Sequence, residues 1–229
     1  PRDPTEGTGE QVLARLRSPS TTSEPEAPLP PPWRGAPPGA LVTDGPKNGY
    51  SPKGVEHETR VKSLTLTATT SGRFDGRYFK YIDEEIPPTS DLWLRDGDVL
   101  IQRGNTIDYV GVAAVYRGPD TTFIYPDLMM KIRLSEQMDL AFVHMAINGP
   151  VARAFIMSRA SGTSGSMPKI NQTTVNAIPI PIAPLKEQRR IMAKVEQLMK
   201  ICDDLEAKLR RAEDRAARLV EAVVREMVA

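Results

Sequence analysis

The chain has 229 residues, of which 40% are hydrophobic, enough for one medium domain and a further element, the usual domain size being about 100–150 residues. A net charge of +1 excludes a protein that coats nucleic acid through sheer positive charge, and the single cysteine excludes a disulfide framework and fits a reducing compartment. No apolar run approaches the roughly 18 residues that a membrane span needs, and the sequence opens on Pro1 with no visible leader, as a fragment or processed product would.

Residues 1–44 read as a Pro-rich linker. Pro25, Pro28, Pro30, Pro31, Pro32, Pro37 and Pro38 crowd a stretch with few apolar side chains, a composition that favours extended, unpacked chain. Ahead of the prolines, residues 10–17 have the makings of a short helix capped by Thr8. Trp33 stands out, and reads either as an anchor on a neighbouring surface or as an isolated linker residue.

Residues 45–183 change to short strands and turns. Residues 61–67 and 98–102 alternate like half-buried strands. Residues 110–116 form a nearly continuous apolar run, as in a strand covered on both faces. Residues 122–125 and 129–134 supply two more strands. Helical spacing returns at Leu140, Val143, His144, Ala146 and Ile147, with Asp139 as N-cap and the breaker Asn148, Gly149, Pro150 as its end. A second helix is predicted over residues 151–157. The expectation is an α+β domain with a mainly antiparallel sheet.

A short apolar strand punctuated by Pro179, Pro181 and Pro184 then hands over to a long helix. Pro is tolerated at a first helical position because its missing N–H has no partner there anyway, and Glu187 complements the positive end of the helix dipole. Ile191, Val195, Leu198, Cys202, Leu205, Leu209, Ala212, Ala216, Leu219 and Val223 keep an unbroken four-three spacing. That is the seam of a coiled coil. Residues 184–229 therefore predict a helix of about 40 residues, roughly 60 Å long. One reading packs it on its own domain, but a helix of that length overhangs a domain of this size, so the seam is expected to meet another helix. Cys202, at a seam position, reads as a small buried hydrophobe.

The candidate functional segments each have a plain alternative. Arg73, Arg77, Tyr78 and Lys80, interleaved with Phe74, Phe79 and Tyr81, read as a positively charged aromatic loop or as a solvated strand pair. Arg103, Asn105 and Thr106 leave a strand end, where polar side chains reach a groove or simply make a hairpin turn. Residues 161–166, rich in Gly and Ser, offer backbone N–H groups to a phosphate or form a structural turn placing Ile170. Arg153, Arg159 and Lys169 surround that segment. Base edges are read by Arg, Asn, Gln, Ser or Thr, while phosphates are held by Lys and Arg. Against this, residues 45–183 carry about as many acidic as basic side chains, unlike a free-standing DNA binder.

No signature of catalysis is present. The glycine segment lacks the Gly-Lys-Ser/Thr ending of a P-loop, and neither a Gly-x-Ser-x-Gly elbow nor a glycine-rich turn for a methyl donor occurs. His57 and His144 have no Cys or His partner at metal-ligand spacing. A nuclease pairing of Asp127 with Glu206 and Lys208 is coincidental, because the latter two belong to the coiled-coil helix.

In several places the sequence resembles the specificity subunit of type I restriction-modification systems. The matching elements are Leu94-Arg-Asp-Gly-Asp-Val-Leu-Ile-Gln-Arg-Gly104, Val110-Gly-Val-Ala113 and Ile124-Tyr-Pro-Asp-Leu128. They continue with Gly162-Thr-Ser-Gly-Ser-Met-Pro-Lys-Ile-Asn-Gln172 and the junction Ile180-Pro-Ile-Ala-Pro-Leu-Lys-Glu-Gln188. The glycine segment and the junction, in that order, are the specific part, and coverage runs roughly from residue 45 to residue 229. Residues 3–17 also resemble the tail that follows the first spacer helix of such subunits.

The resemblance implies the second half of a specificity subunit: a globular target recognition domain with a mainly antiparallel sheet, followed by a coiled-coil-forming spacer helix. It implies a cytoplasmic, non-enzymatic reader of one half of a bipartite double-stranded DNA target, without cofactor or metal. The implied partners are the methyltransferase subunits, through them the restriction subunit, and either a first-half spacer helix or a second copy of this chain. The residues expected at DNA are Arg73, Arg77, Tyr78, Lys80, Arg103, Asn105, Thr106, Arg159, Thr163, Ser164 and Lys169. The competing reading is a coiled-coil adaptor whose head binds protein.

Overall fold

A computed structural model describes residues 6–16, 29–162 and 167–228. Contacts divide the chain into a head ending at Gln188 and a second unit that starts at Arg189. The head contains two four-stranded sheets. One is fully antiparallel, in the order β2 (Val42–Asn48), β9 (Met129–Leu134), β6 (Val99–Gln102), β7 (Ala113–Val115). The other runs β3 (Gly54–Val55), β5 (Phe79–Ile82), β4 (Val61–Leu64), β8 (Phe123–Ile124), with only the β4–β8 pair parallel. The expected α+β class with mainly antiparallel pairing is what forms.

The main core lies between these sheets. Leu64 and Phe123 from one meet Leu100 and Met129 from the other, with Tyr116 and Tyr125 filling the layer. Phe74 closes it edge-on against Tyr116, with ring centroids 4.8 Å apart, a favoured geometry because a ring's positive edge meets a negative face. Every residue of β6 is buried, so this strand is covered on both sides and not half-buried as its alternation predicts. Helix α3 (Leu140–Asn148) begins where Asp139 accepts from the Phe142 N–H at 2.9 Å and stops at Gly149. Helix α4 follows over Pro150–Arg159, with proline at its first turn.

Two strands are shorter than their apolar patterns predict. The run from residue 110 contributes only Ala113–Val115, because Gly111 takes φ +78°, which ends extended chain. The strand from Val61 stops at Leu64, and Leu66–Ala68 turns as a 3-10 helix.

The linker expectation needs a larger correction. Helix α1 (Gly9–Arg15) is capped by Thr8 in a reciprocal box with Gln11. Strand β1 (Arg34–Ala36) pairs antiparallel with β10 (Ile180–Ile182), and α2 (Pro38–Leu41) leads directly into β2. Leu41 is fully buried, and Trp33 packs edge-on against Phe142 at 6.0 Å. Residues 29–44 thus belong to the head. Their prolines do not oppose this, since a two-stranded ribbon tolerates Pro181 opposite Gly35, and Pro38 starts a helix. A Cβ on Gly9 would lie 2.3 Å from the Ile182 carbonyl, so α1 rests directly on the ribbon.

One buried charge cluster holds β6 to β9. Asp98, fully buried, takes the Arg133 guanidinium at 2.5 and 3.0 Å and the Arg95 N–H at 2.8 Å. Lys131 lies 3.9 Å away and donates to the Trp93 carbonyl, and burial pushes its pKa down against the pull of Asp98. Breaking a buried pair leaves uncompensated charge, which costs about 3–5 kcal/mol. Because Arg133 is one-third exposed, Asp98→Asn is expected at the low end, about 3 kcal/mol. Urea unfolding of wild type and variant checks this, and an unchanged midpoint would contradict it.

Helix α5 (Gln172–Asn176) precedes β10, and α6 (Leu185–Val228) follows it, with Glu187 in its first turn. From Arg189 onward α6 forms the second unit. Along it Leu198, Leu205 and Leu209 are 49%, 59% and 61% exposed, and Cys202, Ala212 and Ala216 are exposed too. Cys202 is therefore not buried in the single chain. The side chains of Leu219 and Val223 lie outside those described. Among the described residues, no single helix is long and apolar enough to cross a membrane.

Candidate nucleic-acid interface

The candidate site is organised by a residue that sequence reasoning did not select. Gln102 ends β6 and is fully buried. Its side-chain amide nitrogen faces the Leu66 carbonyl at 3.1 Å and the hydroxyls of Thr69 and Thr70 at 3.1 and 3.2 Å. Its carbonyl oxygen accepts from the Asn105 amide, and the Asn105 oxygen accepts the Thr106 N–H at 2.7 Å. One amide thus ties the 66–70 turn to the loop that leaves β6. The signal was a Gln closing an otherwise apolar strand, which reads as a solvent-facing end until its partners are known.

His144 fixes the same turn further along. Its Nε2 lies 3.0 Å from the Gly72 carbonyl, 2.9 Å from that of Ala113 and 3.0 Å from the Asn148 amide nitrogen. The histidine is a clasp between the turn and β7. Arg73 follows Gly72 in this turn and is exposed.

Past Gln102 the chain runs against residues 167–170. Ile170 donates to the Arg103 carbonyl at 2.9 Å, Gly104 bridges Lys169, and Lys169 exchanges two 3.0 Å bonds with Ser161. A Cβ on Gly104 would sit 3.2 Å from Lys169 Cγ and 3.3 Å from Met167 Sδ. The stem of Lys169 therefore passes this glycine, and the residue is exposed.

The expected contact residues divide by how their side chains are used. Arg73, Arg103 and Lys169 have no carboxylate within 4 Å among the described residues. Arg77 is held by Asp75 at 2.6 Å, and that arginine pulls the Asp75 pKa down to about 2. The Lys80 ammonium donates to the Pro52 carbonyl at 2.6 Å, and Arg159 stacks on Phe155 at 3.6 Å. Tyr78 is exposed under the Arg77 guanidinium. Arg103, Asn105, Thr106 and Lys169 are brought together directly, and Gln102 ties to them the 66–70 turn that leads to Arg73. Thr163 and Ser164 lie outside the described residues. No group of three His, Cys, Asp or Glu side chains able to hold a metal occurs among the described residues.

An α+β head of two packed sheets is followed by an uninterrupted 44-residue helix. The family model for the type I restriction modification DNA specificity domain matches residues 70–212, and the chain belongs to that family. The EcoKI specificity subunit of Escherichia coli K12 is 25% identical over 180 residues, covering 78% of this chain and 39% of that protein. The EcoEI specificity subunit of Escherichia coli is 23% identical over 174 residues, covering 76% and 29%. The chain thus spans less than half the length of these relatives. Among solved structures, the HsdS subunit of Thermoanaerobacter tengcongensis superposes with a TM-score of 0.57 at 24% identity, over 79% of this chain and 45% of that one. A chain from a type I restriction-modification assembly also gives 0.57, at 19% identity, over 92% and 49%. Both likenesses are of fold.

Proposed function

We propose that the head reads one half of a bipartite duplex DNA target and that the long helix pairs with a second spacer helix and docks the methyltransferase subunits. On this reading the chain is a cytoplasmic reader with no chemistry of its own, and the restriction subunit reaches it through the methyltransferase. The observation that carries the reading is that Arg103 and Lys169 meet at one polar loop, that Gln102 ties this loop to the turn leading to Arg73, and that among the described residues none of the three cations has a carboxylate within 4 Å. Cations without carboxylate partners are free to replace counterions on phosphate. Arg77 and Lys80 contribute less, since each already has a partner.

The test is binding of duplex DNA to the complex with the cognate modification subunit, measured over a range of salt. Each phosphate contact contributes about 0.9 to the slope of log affinity against log salt. Replacing Arg73, Arg103 and Lys169 together with alanine is expected to remove about 3 from that slope. An unchanged slope would remove these residues from the interface. An affinity for protein that ignores salt, with none for DNA, would favour the adaptor reading.

A further inference from the structure

The loop over residues 105–109 combines rigidity with exposed apolar side chains. Ile107 and Tyr109 are 40% and 41% exposed, yet the backbone that carries them is pinned from both ends. Tyr109 and Val110 both donate to the Thr106 carbonyl, at 3.0 and 2.9 Å, and Gly111 donates to the Gln102 carbonyl at 2.7 Å. Gly111 has φ +78°, and a Cβ there would lie 2.5 Å from Ile156, so the loop base fits closely on α4. From that helix the Arg153 guanidinium donates to the carbonyls of Val110 and, at 2.9 Å, Asp108. A half-buried arginine is thereby spent on holding backbone.

A loop held this firmly that still keeps part of two large apolar side chains in water has apolar surface to offer a partner. The neighbouring chemistry narrows what they are for. The Asn105 amide already commits a donor to Gln102 and an acceptor to Thr106, so it ties the loop together and is a poor bidentate reader of adenine. What the loop exposes is Thr106, the apolar surface of Ile107 and Tyr109, and the Asp108 carboxylate, whose charge acts on Arg153, in the segment that follows Arg103. In the major groove the apolar group on a base edge is the thymine 5-methyl.

We infer that residues 105–109 are a base-reading finger, that Ile107 and Tyr109 contact thymine 5-methyl groups in the major groove, and that Arg153 is the residue that positions the finger. This rests on the DNA-reading role proposed above. It adds two specificity-determining side chains and reassigns Arg153, whose charge would otherwise be counted toward phosphate.

The experiment replaces each thymine of the selected half-site with uracil, which deletes only the methyl group, and uses the complex with the modification subunit. Wild type is expected to lose about fourfold in affinity per contacted methyl. Ile107→Ala or Tyr109→Ala should bind thymine and uracil DNA equally at the contacted position, with an unchanged salt slope. Arg153→Met should lower discrimination between right and wrong half-sites at unchanged salt slope, and Arg153→Lys should restore part of it. A half-site without thymine, a wild type indifferent to every uracil, or variants that keep the full penalty would overturn the inference. A salt slope reduced by about one in Arg153→Met would make that residue a phosphate contact instead. The uracil scan on wild type needs no variant to fold. Absence of salt-dependent DNA binding would instead sink the underlying reading.

Discussion

Replacing Leu205 and Leu209 together with lysine is expected to abolish association through the long helix while leaving the head folded. Both leucines are more than half exposed in the single chain, and both lie on the four-three stripe that runs from Ile191. Large contiguous apolar patches mark interaction surfaces, and burying a leucine fully is worth about 1.5–3 kcal/mol. Losing two from one helix therefore costs about 3–6 kcal/mol, at least a hundredfold in affinity. The loss is larger if a second copy carries the same substitutions. The lysines add the cost of drawing ammonium groups into a seam. Sedimentation across a concentration series, together with capture by the modification subunit, checks the loss. Near-ultraviolet circular dichroism checks that the head survives, because Tyr116 and Tyr125 belong to its core. A variant that associates like wild type would show that another surface holds the assembly.

The rod was legible because a heptad pattern depends only on local spacing, and nothing interrupts it from Ile191 to Val223. The strands at β6 and β9 and the capped helix α3 were legible for the same reason. What escaped the sequence depends on pairing across long separations. Residues 29–44 looked like linker because their prolines dominate the composition, yet Arg34 pairs with Ile182, a partner that no local window contains. Gln102 looked peripheral for a similar reason, since its acceptors lie more than 30 residues earlier. Among the candidate contacts, the sequence located the loop at Arg103, Asn105 and Thr106. It did not distinguish an arginine spent on Asp75, as Arg77 is, from one with no carboxylate within 4 Å among the described residues, as Arg73 is. That distinction is a matter of geometry, and it separates a salt-bridged side chain from one available to phosphate.

A longer rod is expected to read a longer target. If α6 sets the distance between two half-sites, inserting seven residues after Leu209 preserves the apolar seam and adds about 10.5 Å. At 3.4 Å per base pair that is about three base pairs more between the half-sites. Inserting four residues adds about 6 Å but perturbs the winding of the seam, so it should shift the spacing less and weaken association. The half-site read by this head should stay the same in both cases, because the loop at residues 105–109 and the clasp at His144 lie in the head and the insertion in the second unit. Mapping the preferred spacer in DNA bound by wild type and by the seven-residue insertion, each with the modification subunit, decides the matter. An unchanged spacer with binding retained would make the helix a docking surface only. A changed half-site would mean that the head does not read bases alone. The expected result, a spacer about three base pairs longer between unaltered half-sites, would separate the two tasks physically, with reading in the two-sheet head and measuring in the helix.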